Sequence, residues 1–310
     1  MEHLWTAFTV IFPLMVMMAT GYGLKRLAGI SESVFLIINR IIFYVAIPSQ
    51  VFRSIAFSDT GMEKQGFFCL WIVGWILIVF VLCQLLIPRW MPDPKRSGVA
   101  VQATVRSNDA IFGMAVATAL FGTERLGTMA LAIALSVPMF NVLGVVALEI
   151  NCGGKVHVGH LLRNIAKNPI ILAVLLGFLV RLINIPIPDV LLSPVHSFAE
   201  LCTPLGFLVL GGMLTVSSLK ENRKPLFWIS LVKLILMPLV IVSLSALVGF
   251  RGEQLLSLLI LFGAPTAMAG FPLACAMGAD GKLAGELVAV TTALSLPTMF
   301  LLLTAFGGLL

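Results

Sequence analysis

Four consecutive polar residues, Arg106-Ser107-Asn108-Asp109, stand inside the largely apolar stretch 99–121. Facing lipid, such side chains would be strongly unfavourable. Ser, Asn and Asp are also poor helix-interior residues, because their side chains compete for backbone hydrogen bonds. The run therefore predicts an interrupted helix whose polar groups line a watery cavity and bind a small polar or charged molecule.

A second interruption is predicted in residues 262–272, where Pro265 and Pro272 each remove a backbone donor and the nearby glycines loosen the chain. Broken helices expose free N–H groups and free carbonyls, which attract anions and cations respectively. We expect both helices to be discontinuous, near residues 105–110 and 264–270, and to cross at mid-membrane. The predicted substrate-binding residues are Arg106, Ser107, Asn108, Asp109, Pro265, Thr266, Asn141 and Ser295.

Several of these residues have two interpretations. Arg106 and Asp109 are three apart, so on a helix they would form an internal salt bridge that acts as a strut. Alternatively, Asp109 carries a coupling proton. The uncharged Asn108 and Thr266 suit a substrate head group, whereas Ser295 either binds substrate or satisfies backbone groups freed by the proline two residues later.

The elements that must position these residues are membrane helices. The chain is 59% hydrophobic and only 11% charged, against about 25% charged in soluble domains. A spanning helix needs about 20 mostly apolar residues. Ten stretches qualify, at about 6–24, 34–53, 67–87, 99–121, 128–150, 169–187, 191–217, 225–249, 254–278 and 283–307. We therefore predict an all-α membrane protein with ten transmembrane helices in a lipid bilayer.

The basic residues predict the orientation. With residue 1 outside, the inner loops carry twelve Lys and Arg residues and the outer loops five, as the positive-inside rule requires. We expect both termini outside, in the cell inner (plasma) membrane. The net charge of +6 reflects this topology and requires no nucleic-acid partner. The first segment carries its basic residues, Lys25 and Arg26, after its apolar run, unlike a removable signal peptide.

The chain contains an internal duplication. Residues 134–140 (ALSVPMF) and 293–300 (ALSLPTMF) match at an offset of 159, and Pro48 matches Pro204 at an offset of 156. Five spans per half means that the second half enters the membrane from the opposite side. Two inverted five-helix repeats supply two near-equivalent arrangements, as alternating access requires.

Other chemistries find little support in the sequence. The five cysteines form no Cys-x-x-Cys pair, and His157 and His160 lie in a basic loop without further metal ligands. A membrane enzyme such as a prenyltransferase would need clustered carboxylates for Mg²⁺, and the sequence contains no such cluster. We therefore predict no enzyme activity, no cofactor and no metal. Lys233 is interpreted as snorkelling to the inner surface, and Glu286 as snorkelling or capping.

At the polar run the chain resembles the auxin efflux carrier (AEC) family, whose Arg-Ser-Asn…Gly signature matches Arg106-Ser107-Asn108 and Gly113. Further similarity lies in the second span (Asn39, Tyr44, Pro48), the eighth (residues 233–239) and the last two (264–267, 278–280 and 291–297). The resemblance covers essentially the whole chain. Two positions depart from it: Ala115 replaces a frequent proline, and Asp109 replaces an aromatic or small residue, so the family's coupling mode does not carry over.

The resemblance implies a fold similar to sodium/proton antiporters and bile-acid symporters, with crossed broken helices. Residues 1–66 and 151–220 would form a scaffold, often homodimeric, and residues 67–150 and 221–310 a mobile transport domain. Family members carry small organic anions, and the compact chain looks like a bacterial member. We expect a secondary active transporter for a mono- or dicarboxylate. The alternatives are a sodium- or proton-coupled antiporter or symporter of bile-acid-symporter type, and a non-transporting membrane sensor.

Overall fold

The computed structural model describes residues 2–57, 65–122, 125–152, 167, 169–183, 187–213 and 221–308. Within these ranges every regular element is a helix, and the only strand-like pairing is one isolated bridge. The helices are α1 (Glu2–Arg26), α2 (Glu32–Ile41), α3 (Ile47–Ala56), α4 (Gly66–Trp90), α5 (Pro94–Val105), α6 (Met114–Phe121), α7 (Gly127–Cys152), α8 (Pro169–Ile183), α9 (Asp189–Glu200), α10 (Cys202–Gly212), α11 (Arg223–Leu231), α12 (Met237–Val248), α13 (Gly252–Gly263), α14 (Gly270–Ala276) and α15 (Gly281–Phe306).

Six helical segments among the described residues are long and apolar enough to cross a membrane: Glu32–Arg53, Gly66–Trp90, Gly127–Cys152, Asp189–Gly212, Arg223–Val248 and Gly281–Phe306. Asp109–Phe121, Pro169–Ile183 and Gly252–Gly263 are shorter apolar helices. The predicted all-α, multi-pass membrane class is therefore confirmed. The count of ten spans and their inverted arrangement stay predictions.

Three π-helical segments occur in the described part of the chain. Ile42–Ala46 joins α2 to α3, and Val232–Leu236 joins α11 to α12. In both cases a proline follows at the second position of the next helix, Pro48 or Pro238. A proline ring clashes with the carbonyl four residues earlier, and a π turn just before it relieves that crowding. The third segment, Asp109–Gly113, precedes α6.

Helices α1 and α10 approach each other very closely. A Cβ built on Gly21 would lie 1.9 Å from the Leu208 carbonyl oxygen, and one on Gly211 would lie 1.7 Å from the Met18 carbonyl oxygen. Only glycine permits such an approach, which is a common way for membrane helices to associate. Helix α3 packs against α8 and α9.

A polar cluster joins the beginnings of α5 and α15. The Arg96 guanidinium donates to the Asn222 amide oxygen at 2.5 Å, and the Asn222 amide nitrogen donates to Glu286 at 2.7 Å. Glu286 is only 2% exposed. The interpretation of Glu286 as a snorkelling or capping residue is therefore wrong. A buried carboxylate needs hydrogen-bond partners, and Asn222 supplies one.

A second polar cluster joins the beginnings of α7 and α13. Arg125 pairs with Glu253 at 2.9 Å, and the Thr128 hydroxyl donates to the same carboxylate at 3.3 Å. Gln65, just before α4, donates to Thr128 at 3.5 Å and accepts from Gln254 at 2.9 Å. Together the two clusters tie the interrupted helices α5 and α13 to α4, α7 and α15.

Candidate functional site

Helix α5 ends at Val105, as the polar run predicts. Arg106 is extended (φ −81°, ψ 105°), although its N–H still donates to the Gln102 carbonyl at 2.9 Å. The chain becomes helical again at Asp109, where the Asn108 carbonyl accepts from Phe112 at 3.0 Å. The predicted interruption near residues 105–110 is confirmed.

The second interruption lies between α13 and α14. Helix α13 ends at Gly263, Ala264 is extended (φ −64°, ψ 149°), and α14 begins at Gly270. Pro265 has no N–H to continue the helix. The predicted interruption near residues 264–270 is confirmed as well.

The two interrupted segments touch through their backbones at residues 106–108 and 265–267, a contact that we call the crossing. Ser107 and Thr266 form an antiparallel bridge. The Asn108 N–H donates to the Pro265 carbonyl at 2.8 Å, and the Ala267 N–H donates to the Arg106 carbonyl at 3.1 Å. Backbone groups freed by the helix breaks thus satisfy one another, which makes non-helical chain tolerable inside a membrane protein.

Thr266 fixes the bridge from the side of α13. Its hydroxyl donates to the Ala103 carbonyl at 2.7 Å, and its N–H donates to the Thr291 hydroxyl at 3.1 Å. Gln102 reinforces the contact by donating to the Gly270 carbonyl at 3.0 Å. Thr266 is buried, and its hydroxyl is bonded to a backbone carbonyl. Its side chain therefore stabilises the crossing.

A buried lysine contacts Ser107. The Lys233 ammonium, on the π segment Val232–Leu236, donates to the Ser107 hydroxyl at 2.5 Å, and Lys233 is 0% exposed. The interpretation of Lys233 as a residue that snorkels to the surface is therefore wrong. Its stem runs inward to the crossing, where the hydroxyl compensates part of the desolvation of the amine.

Arg106 and Asp109 do not pair with each other. Arg106 donates to the Asn141 amide oxygen at 2.6 Å, and Asp109 accepts a short hydrogen bond from Ser136. Both partners lie on α7. No ion pair within 4 Å joins Arg106 to Asp109 among the described residues, because the extended chain at Arg106 removes the one-turn spacing that a helix would give. The proposed internal salt bridge is therefore wrong.

A cavity of about 210 Å³ lies beside the crossing. Among its lining residues, Asn108 is 5% exposed, and its amide nitrogen has no hydrogen-bond partner in the described part of the chain. The amide oxygen of Asn39, on α2, is buried in the same cavity and equally lacks a described partner. The other lining residues are Phe43, Arg106, Ser107, Asp109, Ala110, Ile111, Val137, Phe140, Asn141, Ala267, Met268 and Ala269.

Five of the eight predicted site residues line this cavity: Arg106, Ser107, Asn108, Asp109 and Asn141. Pro265 and Thr266 form the crossing beside it. Ser295 is not among the lining residues, and its hydroxyl donates to the Thr292 carbonyl of its own helix at 2.7 Å. The structure therefore places Ser295 with the residues that satisfy helix backbone.

The chemistry available at this site is binding. Among the described residues no group of three His, Cys, Asp or Glu side chains is placed to hold a metal ion. The cavity instead offers amide donors and acceptors, a guanidinium and a carboxylate, enclosed by Phe43, Val137 and Phe140. A small cavity with few convergent polar groups suits a small polar ligand.

Interrupted apolar helices that meet at a buried polar cavity define a polytopic membrane transport protein. The chain belongs to the membrane transport protein family, whose model matches residues 6–303. This confirms the resemblance to auxin efflux carriers.

Two uncharacterised archaeal transporters are similar over almost their whole length. The one from Methanocaldococcus jannaschii is 27% identical over 301 residues, covering 93% of this chain and 94% of the relative. The one from Methanothermobacter thermautotrophicus is 25% identical over 303 residues, covering 93% and 95%. Family and relatives together identify a transporter and point away from an enzyme, while leaving its substrate open.

Proposed function

We propose that this protein is a secondary active transporter that carries a small organic anion, such as a mono- or dicarboxylate, by alternating access. The observation that carries the proposal is the cavity beside the crossing, which is lined by Arg106 and by Asn108, whose buried amide nitrogen has no hydrogen-bond partner among the described residues. Both groups donate hydrogen bonds, and a carboxylate accepts them.

The balance of ionisable side chains supports an anion over a cation. Arg106 and Asp109 line the cavity, and Lys233 lies directly behind Ser107. These are two basic side chains against one carboxylate among the described residues around the site. An added carboxylate evens this balance, whereas a cationic substrate would add to the excess of basic groups in a poorly solvated place.

The pairing at the crossing supports an inverted-repeat origin. Ser107 and Thr266 are 159 positions apart, the offset that relates the duplicated motifs. Each residue of the bridge has a counterpart 159 positions away: Arg106 corresponds to Pro265, and Asn108 to Ala267. When each residue is replaced by its counterpart, the bond from the Asn108 N–H to the Pro265 carbonyl becomes the bond from the Ala267 N–H to the Arg106 carbonyl. A two-fold axis through the bridge would produce this self-consistency, and it would relate two five-helix halves.

On this basis residues 67–150 and 221–310 form the mobile transport domain, and residues 1–66 and 151–220 form a scaffold through which the protein dimerises. The membrane is the cell inner (plasma) membrane, with both termini outside. Single cysteines in place of Lys95 and Arg251, in a chain stripped of native cysteines, test the orientation. A membrane-impermeant thiol reagent applied to intact cells should label the residue at 251 and spare that at 95; the reverse result overturns the topology.

Coupling centres on Asp109. Its hydrogen-bond partner is Ser136 instead of Arg106, so the sequence-based reason for treating it as a fixed strut no longer holds. A carboxyl group next to a hydroxyl can exchange a proton without losing a permanent ion-pair partner. We propose Asp109 as the carrier of a coupling proton, with sodium as the competing choice.

Uptake into proteoliposomes tests the proposal. Labelled mono- and dicarboxylates of about three to six carbons are offered under imposed proton, sodium or voltage gradients. Asn108→Ala should raise the half-saturating concentration about ten-fold or more, while Asn151→Ala, a matched truncation outside the cavity, should leave it within about two-fold. Folded protein that moves no carboxylate under any gradient refutes the carrier, and binding without flux favours a sensor. Strict sodium dependence favours the bile-acid-symporter type of coupling.

A further inference from the structure

Two unpartnered amide groups of opposite hydrogen-bonding character share the cavity. The Asn108 amide nitrogen is a donor, and the Asn39 amide oxygen is an acceptor; neither has a hydrogen-bond partner among the described residues. Buried polar atoms are rarely left unsatisfied in folded proteins. A pair of such atoms on residues that line one small space points to a ligand that completes both.

We infer that Asn39 is a specificity-determining residue, and that the preferred substrate is a small acid carrying a hydrogen-bond donor, such as a hydroxyl group, besides its carboxylate. The carboxylate accepts from Asn108 and Arg106, and the donor meets the Asn39 oxygen. This rests on the proposed function and deepens it. Asn39 comes to the site from α2, outside the helices that form the crossing.

Two side-chain acceptors of the cavity are already engaged: the Asn141 amide oxygen accepts from Arg106, and the Asp109 carboxylate accepts from Ser136. Among the described cavity residues, the Asn39 oxygen is the buried side-chain acceptor without a hydrogen-bond partner. A ligand lacking a donor would leave that oxygen buried and unsatisfied, and sites built to bond a hydroxyl discriminate strongly against analogues without one.

The cavity volume sets the size of the ligand. A dry cavity of about 150 Å³ accommodates benzene, so about 210 Å³ accommodates an acid of a few carbons. Suitable probes are pairs that differ by a single hydroxyl: propanoate with 2-hydroxypropanoate, and butanoate with 3-hydroxybutanoate. The methoxy ether of each hydroxy acid keeps the oxygen but removes its donor.

The test measures the affinity of wild type and Asn39→Leu for each probe, from transport in proteoliposomes and from thermal stabilisation of the purified protein. In wild type, the hydroxy acid of at least one pair should bind about ten-fold more tightly than both its parent acid and its methoxy ether. In Asn39→Leu this preference should fall to within about two-fold, with the parent acid bound as in wild type. Ser33→Ala, on the exposed part of α2, should keep the wild-type preference.

The outcomes separate the two proposals. Transport of parent and hydroxy acids with equal affinity in wild type overturns the inference and leaves the carrier intact. A preference that persists in Asn39→Leu overturns the role of Asn39. If folded wild type and folded Ser33→Ala bind and transport neither class of acid, and none of the dicarboxylates offered in the uptake test, the proposed function itself fails.

Discussion

The contact between Lys233 and Ser107 predicts that Ser107→Ala lowers the stability of the protein, whereas Lys233→Met leaves it unchanged or raises it. Both side chains are buried, and the ammonium donates to the hydroxyl at 2.5 Å. Ser107→Ala deletes the hydroxyl and leaves the amine in an apolar environment without that acceptor. A buried polar group left in this way costs about 1–3 kcal/mol.

Lys233→Met should behave differently. It replaces the amine by an apolar chain of similar length, and exchanging buried ionic groups for well-packed apolar ones is often neutral or stabilising. The double variant should therefore recover the stability that Ser107→Ala alone loses. The coupling energy in the double-mutant cycle should be about 1–3 kcal/mol.

The assay follows thermal unfolding in detergent together with uptake in proteoliposomes. For a chain of this size we expect Ser107→Ala to lower Tm by about 2–6 °C, and the double variant to return to within about 1 °C of Lys233→Met. Uptake should fall at least about ten-fold in all three variants, because each removes the cation-to-hydroxyl contact beside the cavity. Additive losses of Tm, or wild-type uptake by Lys233→Met, would refute the reasoning.

Four further substitutions probe the crossing, the proposed proton carrier and the helix packing. Thr266→Val removes a hydroxyl that supports the bridge, so Tm should fall by an amount equivalent to about 1–3 kcal/mol together with maximal uptake rate; an effect on substrate affinity alone would contradict this role. Asp109→Asn should abolish accumulation driven by a pH gradient while retaining counterflow exchange, and proton-driven accumulation by the variant would exclude Asp109 as the proton carrier. Gly211→Ala should destabilise by about 1–3 kcal/mol or more because its Cβ has no room, whereas Gly23→Ala, with nothing within 4 Å of its Cβ, should stabilise slightly. Equal Tm values for these two alanine variants would contradict the close approach of the helices.

The interruptions could be predicted from sequence because their causes are local. Proline, glycine and consecutive short polar side chains disfavour a continuous helix whatever surrounds them. Four of the five predicted residues that line the cavity, Arg106 to Asp109, follow from the same signal, since they form the broken segment; Asn141, on the continuous helix α7, does not. The family resemblance added Asn39 as a match but assigned it no role.

The partners of the charged residues could not be predicted, because they depend on tertiary packing. Asp109 bonds to Ser136, 27 residues later, and Lys233 bonds to Ser107, 126 residues earlier. Spacing rules for helices linked Asp109 to Arg106, but the extended chain at Arg106 breaks that periodicity. Lys233 lies close enough to a predicted span end for snorkelling to be reasonable, and only the fold shows that its stem points to the crossing.

The bridge at the crossing is symmetric in its backbone but asymmetric in its side chains. Ser107 is held by the Lys233 amine, whereas Thr266 is held by the Ala103 carbonyl and the Thr291 hydroxyl. On the proposed alternating-access mechanism, inward- and outward-open forms related by a two-fold axis would be equal in free energy if Ser107 and Thr266 had identical surroundings. Because their contacts differ, we expect the empty carrier to rest with one form in excess, and the lysine contact to set how far the population is biased.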